Sequence, residues 1–232
     1  MDALLDELGA ALRPRRARWR GLGLAGVLVG SLLAVVSLQS RLAQRCNGGR
    51  EQLAAIWDDA TRTRVEQSIA VAAADAAAPV WARVSEHLDG YAAAFVEQHR
   101  AACEATTVRG EQSATVLDLR MACLHRARAE LAASVGLLGS VDERTVMRAV
   151  ELVERLPDLE RCADVDALLA EAPPPEDPGE RAAVEDARDR LAHARSLHRL
   201  GRYDEALEAV RLVADEAERL DHAPLSAELA AL

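Results

Sequence analysis

Apolar and polar positions alternate along this chain with the period of a helix almost throughout, broken by one stretch that has no polar face. Gly21 to Leu38 carries no charged residue. A bilayer core of about 30 Å needs roughly 17 to 25 helical residues, so this run with its margins predicts a membrane-spanning helix over 21–39. Ahead of it, Met1 to Leu12 places Leu4, Leu5, Leu8 and Leu12 on one side of a short amphipathic helix. After it, Gly48-Gly49 breaks the chain and further helices are expected. The first should run from Arg50 to Ala76, with Leu53, Ile56, Trp57 and Ala60 on one face. Pro79 suits the first turn of the second, where Trp81, Val84, Leu88, Tyr91 and Phe95 form a 3-4-3-4 seam. The third, from Ser113, repeats that rhythm with Leu117, Met121, Leu124, Leu131, Val135 and Leu138, and the two seams are expected to face each other antiparallel. Ser140-Val141-Asp142-Glu143 reads as a capping box that opens a fourth helix ended by Pro157, and a short fifth covers Asp164 to Ala172.

The proline-rich segment 173–179 then divides a helical domain over 46–172 from a last part over 180–232. Asp177 can cap and Pro178 can start a helix to Arg199, with Ala187, Leu191, Ala194 and Leu197 inward. A second helix runs to Leu220, and Leu225 and Leu229 come after Pro224 as the start of another. No strand signal competes, and the fold class expected is all-α: a single transmembrane helix, a helical-hairpin or bundle domain, then a helix pair.

Charge orients the apolar run. Arg13, Arg15, Arg16, Arg18 and Arg20 precede it with Trp19 at headgroup level, whereas Arg41 and Arg45 are the nearest cations beyond it. The positive-inside rule puts residues 1–20 in the cytoplasm and everything from Cys46 onward outside the inner membrane, single-pass. Two other readings of the run fail. A signal peptide would have a shorter apolar core and a small-residue cleavage site, and Gln44 and Arg45 spoil a lipid-attachment box at Cys46. Gly21-Leu22-Gly23-Leu24-Ala25-Gly26 matches a dinucleotide fingerprint, but arginines stand where a strand is needed. Gly26 and Gly30 have the spacing that lets two membrane helices approach, so a homodimer through the span is open to this chain.

Composition narrows the function classes. Half of the 232 residues are hydrophobic but only 3% are aromatic, which favours helices packed through alanine and leucine. All 28 basic residues are arginine, which excludes any mechanism that needs a lysine. Residues 1–45 carry a net +4, leaving −14 for the rest of a chain whose net charge is −10. So acidic a body is a poor nucleic-acid binder, and no nucleic-acid partner is expected.

Ala194-x-x-Leu197 with Gly201-x-Tyr203-x-Glu205-Ala206-Leu207 after it resembles the turn of a tetratricopeptide repeat, with Gly201 permitting the turn and Tyr203 and Ala206 locking two helices. The resemblance implies a protein or peptide ligand on the repeat face. Such arrays need about three repeats, so the pair over 180–232 is expected to be truncated or abbreviated. The whole arrangement also resembles the region after the catalytic domain of bacterial transmembrane serine/threonine protein kinases with external tetratricopeptide repeats. Met1-Asp2-Ala3-Leu4-Leu5 is similar to the closing helix of the kinase domain. Arg109-Gly110-Glu111-Gln112-Ser113 with Leu119-Arg120-Met121-Ala122-Cys123-Leu124 is similar to the helical sensor region. The resemblance implies phosphorylation signalling controlled from outside the cell. The enzyme itself is missing from this chain, which has no H-R-D loop, no D-F-G and no lysine. A stand-alone anchored adaptor that holds a periplasmic protein is the alternative.

Cysteines carry the remaining chemistry. Cys46, Cys103, Cys123 and Cys162 all fall on the expected outer side, where disulfides persist, and allow three pairings. The expectation is Cys103 with Cys123, across the Thr106 to Gln112 loop, and Cys46 with Cys162, tying the domain's ends. A zinc site from His99, Cys103, Cys123 and His125 is the rival. Residues two apart on a helix diverge by about 200°, so Cys123 and His125 cannot both reach one ion. Glu97, His99 and Glu104 read as a solvated helix face, and Ser134, Ser140 and Ser196 have no His/Asp companions for nucleophilic catalysis. No catalytic residue, metal or cofactor is expected.

Overall fold

The computed structural model describes residues 46–172 and 174–232. Among them every regular element is helical. The span over 21–39, the segment 1–20 and the flanking Arg15, Arg16, Arg18, Trp19 and Arg20 lie outside the described residues. Among the described residues no helix is long and apolar enough to cross a membrane.

The stretch expected as one helix over 50–76 is two. Helix α1 covers Gly48–Ala54 and α2 covers Asp59–Ala73. Asp58 causes the break, because its carboxylate accepts from the Thr61 N–H at 2.7 Å and so caps a new helix. Trp57, in that break, packs partly buried against the core, donates from its indole to Asp89 at 2.9 Å and sits 6.5 Å from the Trp81 ring. Arg62 lies over both indoles and closes the group with a 2.7 Å bond to Asp89.

A short 3₁₀ turn at Ala74–Ala76 leads into α3, Ala77–Thr107, whose 31 residues make it about 46 Å long. Pro79 stands in its first turn. Of its seam, Val84, Leu88 and Phe95 are fully buried, and Trp81 and Tyr91 are partly so. After a turn through Gly110, at φ +65°, Ser113 caps α4, Ala114–Leu138, by accepting from Val116 N–H at 3.2 Å. Leu124, Leu131, Val135 and Leu138 of α4 share one core with Leu88 and Phe95.

The capping box expected at Ser140 is displaced by two residues. Asp142, not Ser140, is the acceptor, taking the N–H groups of Arg144 at 3.1 Å and Thr145 at 2.9 Å, while Ser140 Oγ donates back to the Leu137 carbonyl. In place of one long fourth helix, the chain makes a 3₁₀ turn at Val146–Arg148 and the six-residue α5, Ala149–Glu154. A third 3₁₀ turn, Leu159–Ala163, is capped by Asp158, and α6, Val165–Ala170, by Asp164.

Beyond the proline segment, Asp177 accepts from Glu180 N–H at 2.8 Å and Pro178 begins α7, Pro178–Leu200. Gly201 ends it at φ +85°, a left-handed conformation that costs glycine nothing. Helices α8, Tyr203–Leu220, and α9, Ala223–Ala230, complete the chain. Cys46 to Leu232 is one compact unit. Segment 173–179 therefore joins parts that share a core, into which Leu197, Leu200 and Ala206 extend, while Ala187, Leu191, Val213, Ala217 and Leu225 form a smaller cluster of their own. Buried alanines, among them Ala127, Ala149, Ala187, Ala194 and Ala206, let the helices approach closely where the sequence has few aromatics to fill space.

Candidate functional site

Two disulfides staple the body, in a pairing different from the one expected. Cys46 is bonded to Cys103 and Cys123 to Cys162, each with Cα atoms 5.5 Å apart. Neither joins α3 to α4. Instead each ties a short segment onto the flank of a long helix. Helix α1 packs on α3 so closely that a Cβ at Gly49 would meet the His99 Cβ at 2.9 Å and Cγ at 3.0 Å, and this contact delivers Cys46 to Cys103 one turn further along. Arg120, one turn before Cys123, donates from Nε to the Cys162 carbonyl at 3.1 Å and fixes the 3₁₀ turn beside α4.

With all four sulfurs oxidised, the donor set His99, Cys103, Cys123 and His125 is not open to an ion, and no cluster of metal donors occurs among the described residues. His99 is not on a solvated face: it is 8% exposed, with Gln52 Nε2 at 3.1 Å from its Nε2. Burial pushes its imidazole below its ordinary pKa and keeps it neutral. Glu97 and Glu104 are surface partners of Arg100. Ser134 and Ser196 are fully buried and face each other at 3.3 Å, a pairing across α4 and α7 that no spacing in the sequence announces.

Beside that pair lies a charged layer. Glu130 of α4, almost wholly buried, accepts from Arg195 at 3.2 Å and Arg199 at 2.8 Å, both on α7. Arg195 and Arg188 also reach Glu228 of α9. The one signal in the sequence was the i, i+4 pair Arg195 and Arg199 on a helix whose inward face is mostly alanine and leucine.

The repeat-turn residues divide in their roles. Ala206 is buried between α7 and α8, and Gly201 forms the turn. Tyr203 is 52% exposed, so its ring is not buried within the helix pair. It stands edge-on to His198 at 5.3 Å and its hydroxyl accepts from Arg148 at 2.7 Å.

Two neighbouring clefts flank the end of α6. One, of about 900 Å³, runs along the first half of α4 under Pro174 and Pro175, with Leu119, Leu168 and Val184 among its apolar lining. The other, of about 550 Å³, lies between α4, α6, α7 and α9. Arg126, Glu171 and Arg188 border both. Their charges are matched in place: Arg126 to Glu171 at 3.0 Å and Arg188 to Glu228 at 2.9 Å. Asp189, also at the rim, has its pKa raised by burial against the opposing pull of His125 and Arg128. Walls that are more apolar than polar are suited to holding a ligand by shape and contact. No family model, curated protein or solved structure matches the chain.

Proposed function

We propose that this chain is a non-catalytic, membrane-anchored sensor and protein-interaction region that couples binding outside the inner membrane to a cytoplasmic serine/threonine protein kinase. The observation that carries the reading is the pair of disulfides, Cys46–Cys103 and Cys123–Cys162, in a lysine-free helical body that comes after an arginine-flanked apolar run. Disulfides persist in oxidising compartments and not in a reducing cytosol. The turn at Gly201 and the clefts beside α6 support a protein or peptide ligand as the external partner. The lipid bilayer would be the second partner, and a second copy could join through the apolar run.

The test is labelling of spheroplasts carrying the full chain with a membrane-impermeant maleimide, before and after an impermeant reductant. The sulfurs should label only after reduction, and equally in spheroplasts and lysates. Labelling that needs lysis, or that needs no reduction, would sink the external placement. Kinase motifs in frame ahead of Met1 would favour the kinase over the stand-alone adaptor.

A further inference from the structure

We propose that residues 46–73 form an arm hinged at Ala74, and that reduction of the Cys46–Cys103 bond releases this arm from α3 as a unit. The hinge carries the proposal. Ala74 has φ +46° and ψ −116°, the first central conformation of a type II′ turn, where glycine belongs. A side chain there is strained. The local sequence does not ask for a reversal either: seven of the nine residues from Ala70 to Ala78 are alanine, the best helix former, and none is glycine. Ala74 is exposed, so burial of its methyl group does not offset the strain. The turn is imposed from either side of it.

Two kinds of fastening impose it. Along the arm, Val65 and Ile69 are fully buried, the Ser68 hydroxyl accepts from the Val141 N–H at 3.0 Å, and Arg62 is bonded to Asp89. At its far end the arm is joined by sulfur to Cys103, about 39 Å along α3 from the hinge at about 1.5 Å per residue. An arm pinned at both ends cannot swing, whereas one held at the hinge alone can.

Cys46 is wholly buried and Cys103 only partly, so Cys103 is the sulfur within reach of a reductant. A thiolate of a dithiol attacks Cys103 Sγ, the S–S bond breaks and Cys46 leaves as thiolate. The second thiol of the reductant then frees Cys103 by closing its own disulfide, and two electrons and two protons have passed to the cysteine pair. Burial of Val65 and Ile69 still favours the closed arm, so reduction sets how often the arm opens. Each opening bares these two residues and part of the core they share with Val84 and Leu88. The device needs neither the membrane nor the kinase reading.

The experiment is hydrogen exchange, read by mass spectrometry on peptides of the full chain in detergent, for the oxidised chain and for Cys46→Ser/Cys103→Ser, each with and without Ala74→Gly or Ala74→Val. Loss of the bond should speed exchange over 48–73 by about a hundredfold or more, with the whole segment changing together and α7 and α8 unchanged. In the serine variant Ala74→Gly should slow the arm about tenfold by removing the strain, and Ala74→Val should speed it. Faster exchange in Ala74→Gly, as in a helix interior, would overturn the hinge. Exchange over 48–73 that does not rise without the bond, or that rises equally in α7 and α8, would overturn the arm. Where the serine pair fails to fold, dithiothreitol added to folded Cys123→Ser/Cys162→Ser removes the same bond alone and carries the same comparison.

Discussion

Arg199 of α7 places Nη1 2.8 Å from Oε2 of Glu130 on α4, and Arg195, one turn earlier, holds the other carboxylate oxygen at 3.2 Å. Through this pair the helix after the proline segment is fastened to the one before it. Removing Glu130 leaves Arg199 partly buried and facing no anion, and Arg195 with only Glu228 at 3.8 Å, which costs far more than the pairing contributes net. Glu130→Ala should lower stability by about 3 kcal/mol in a urea unfolding series. A Glu130→Met change that also replaces both arginines with apolar residues should recover most of that loss.

The Ser134 and Ser196 hydroxyls form a second, neutral link across the same helices. Either alanine substitution strands one hydroxyl without a partner and should cost about 1 kcal/mol. The double substitution should cost clearly less than the sum, and a double-mutant cycle by chemical denaturation measures the difference.

The disulfides close stretches of 57 and 39 residues. In the chain-entropy account each contributes about 4 kcal/mol by restricting the unfolded chain. Non-reducing proteolysis and mass spectrometry should recover peptides linking 46 to 103 and 123 to 162. Reduction should lower the melting midpoint, and Cys162→Ser should leave the Cys46–Cys103 peptide intact.

His99 gives the fold a pH dependence whose sign is set by burial. Its folded pKa lies below the ordinary value of about 6.5, so the unfolded chain takes up a proton there that the native state refuses. Its contribution is therefore complete above about pH 6.5 and is lost as the pH falls from there toward the folded pKa. Stability measured by urea between about pH 7.5 and 5 should decline on the acid side, and His99→Gln should flatten that decline. A slope unchanged in the variant would place its origin elsewhere.

Local chemistry was the legible part of this sequence. Ser113, Asp177-Pro178 and Gly201 announce their helix boundaries because the capping group and the turn lie within four residues of each other. Asp58 does the same job, but it sits inside a stretch whose helical periodicity runs on past it, and the pattern hid the cap; at 140–143 the boundary was legible but its acceptor is Asp142 and not Ser140. Partners distant along the chain were not legible. The choice between Cys103–Cys123 and Cys46–Cys103 depends on how α1 lies on α3, which comes down to an unoccupied Cβ position at Gly49. Likewise Arg148 and Tyr203 are 55 residues apart, and only the packing of α7 beside α5 brings them within a hydrogen bond.

The Cys46–Cys103 bond gives the molecule a mechanical route of its own. Tension on the backbone ahead of Cys46 does not have to peel away α1 and α2 one after another. It passes through sulfur straight to the last turns of α3, a helix of 31 residues, and the 57-residue stretch closed by the bond is left unloaded.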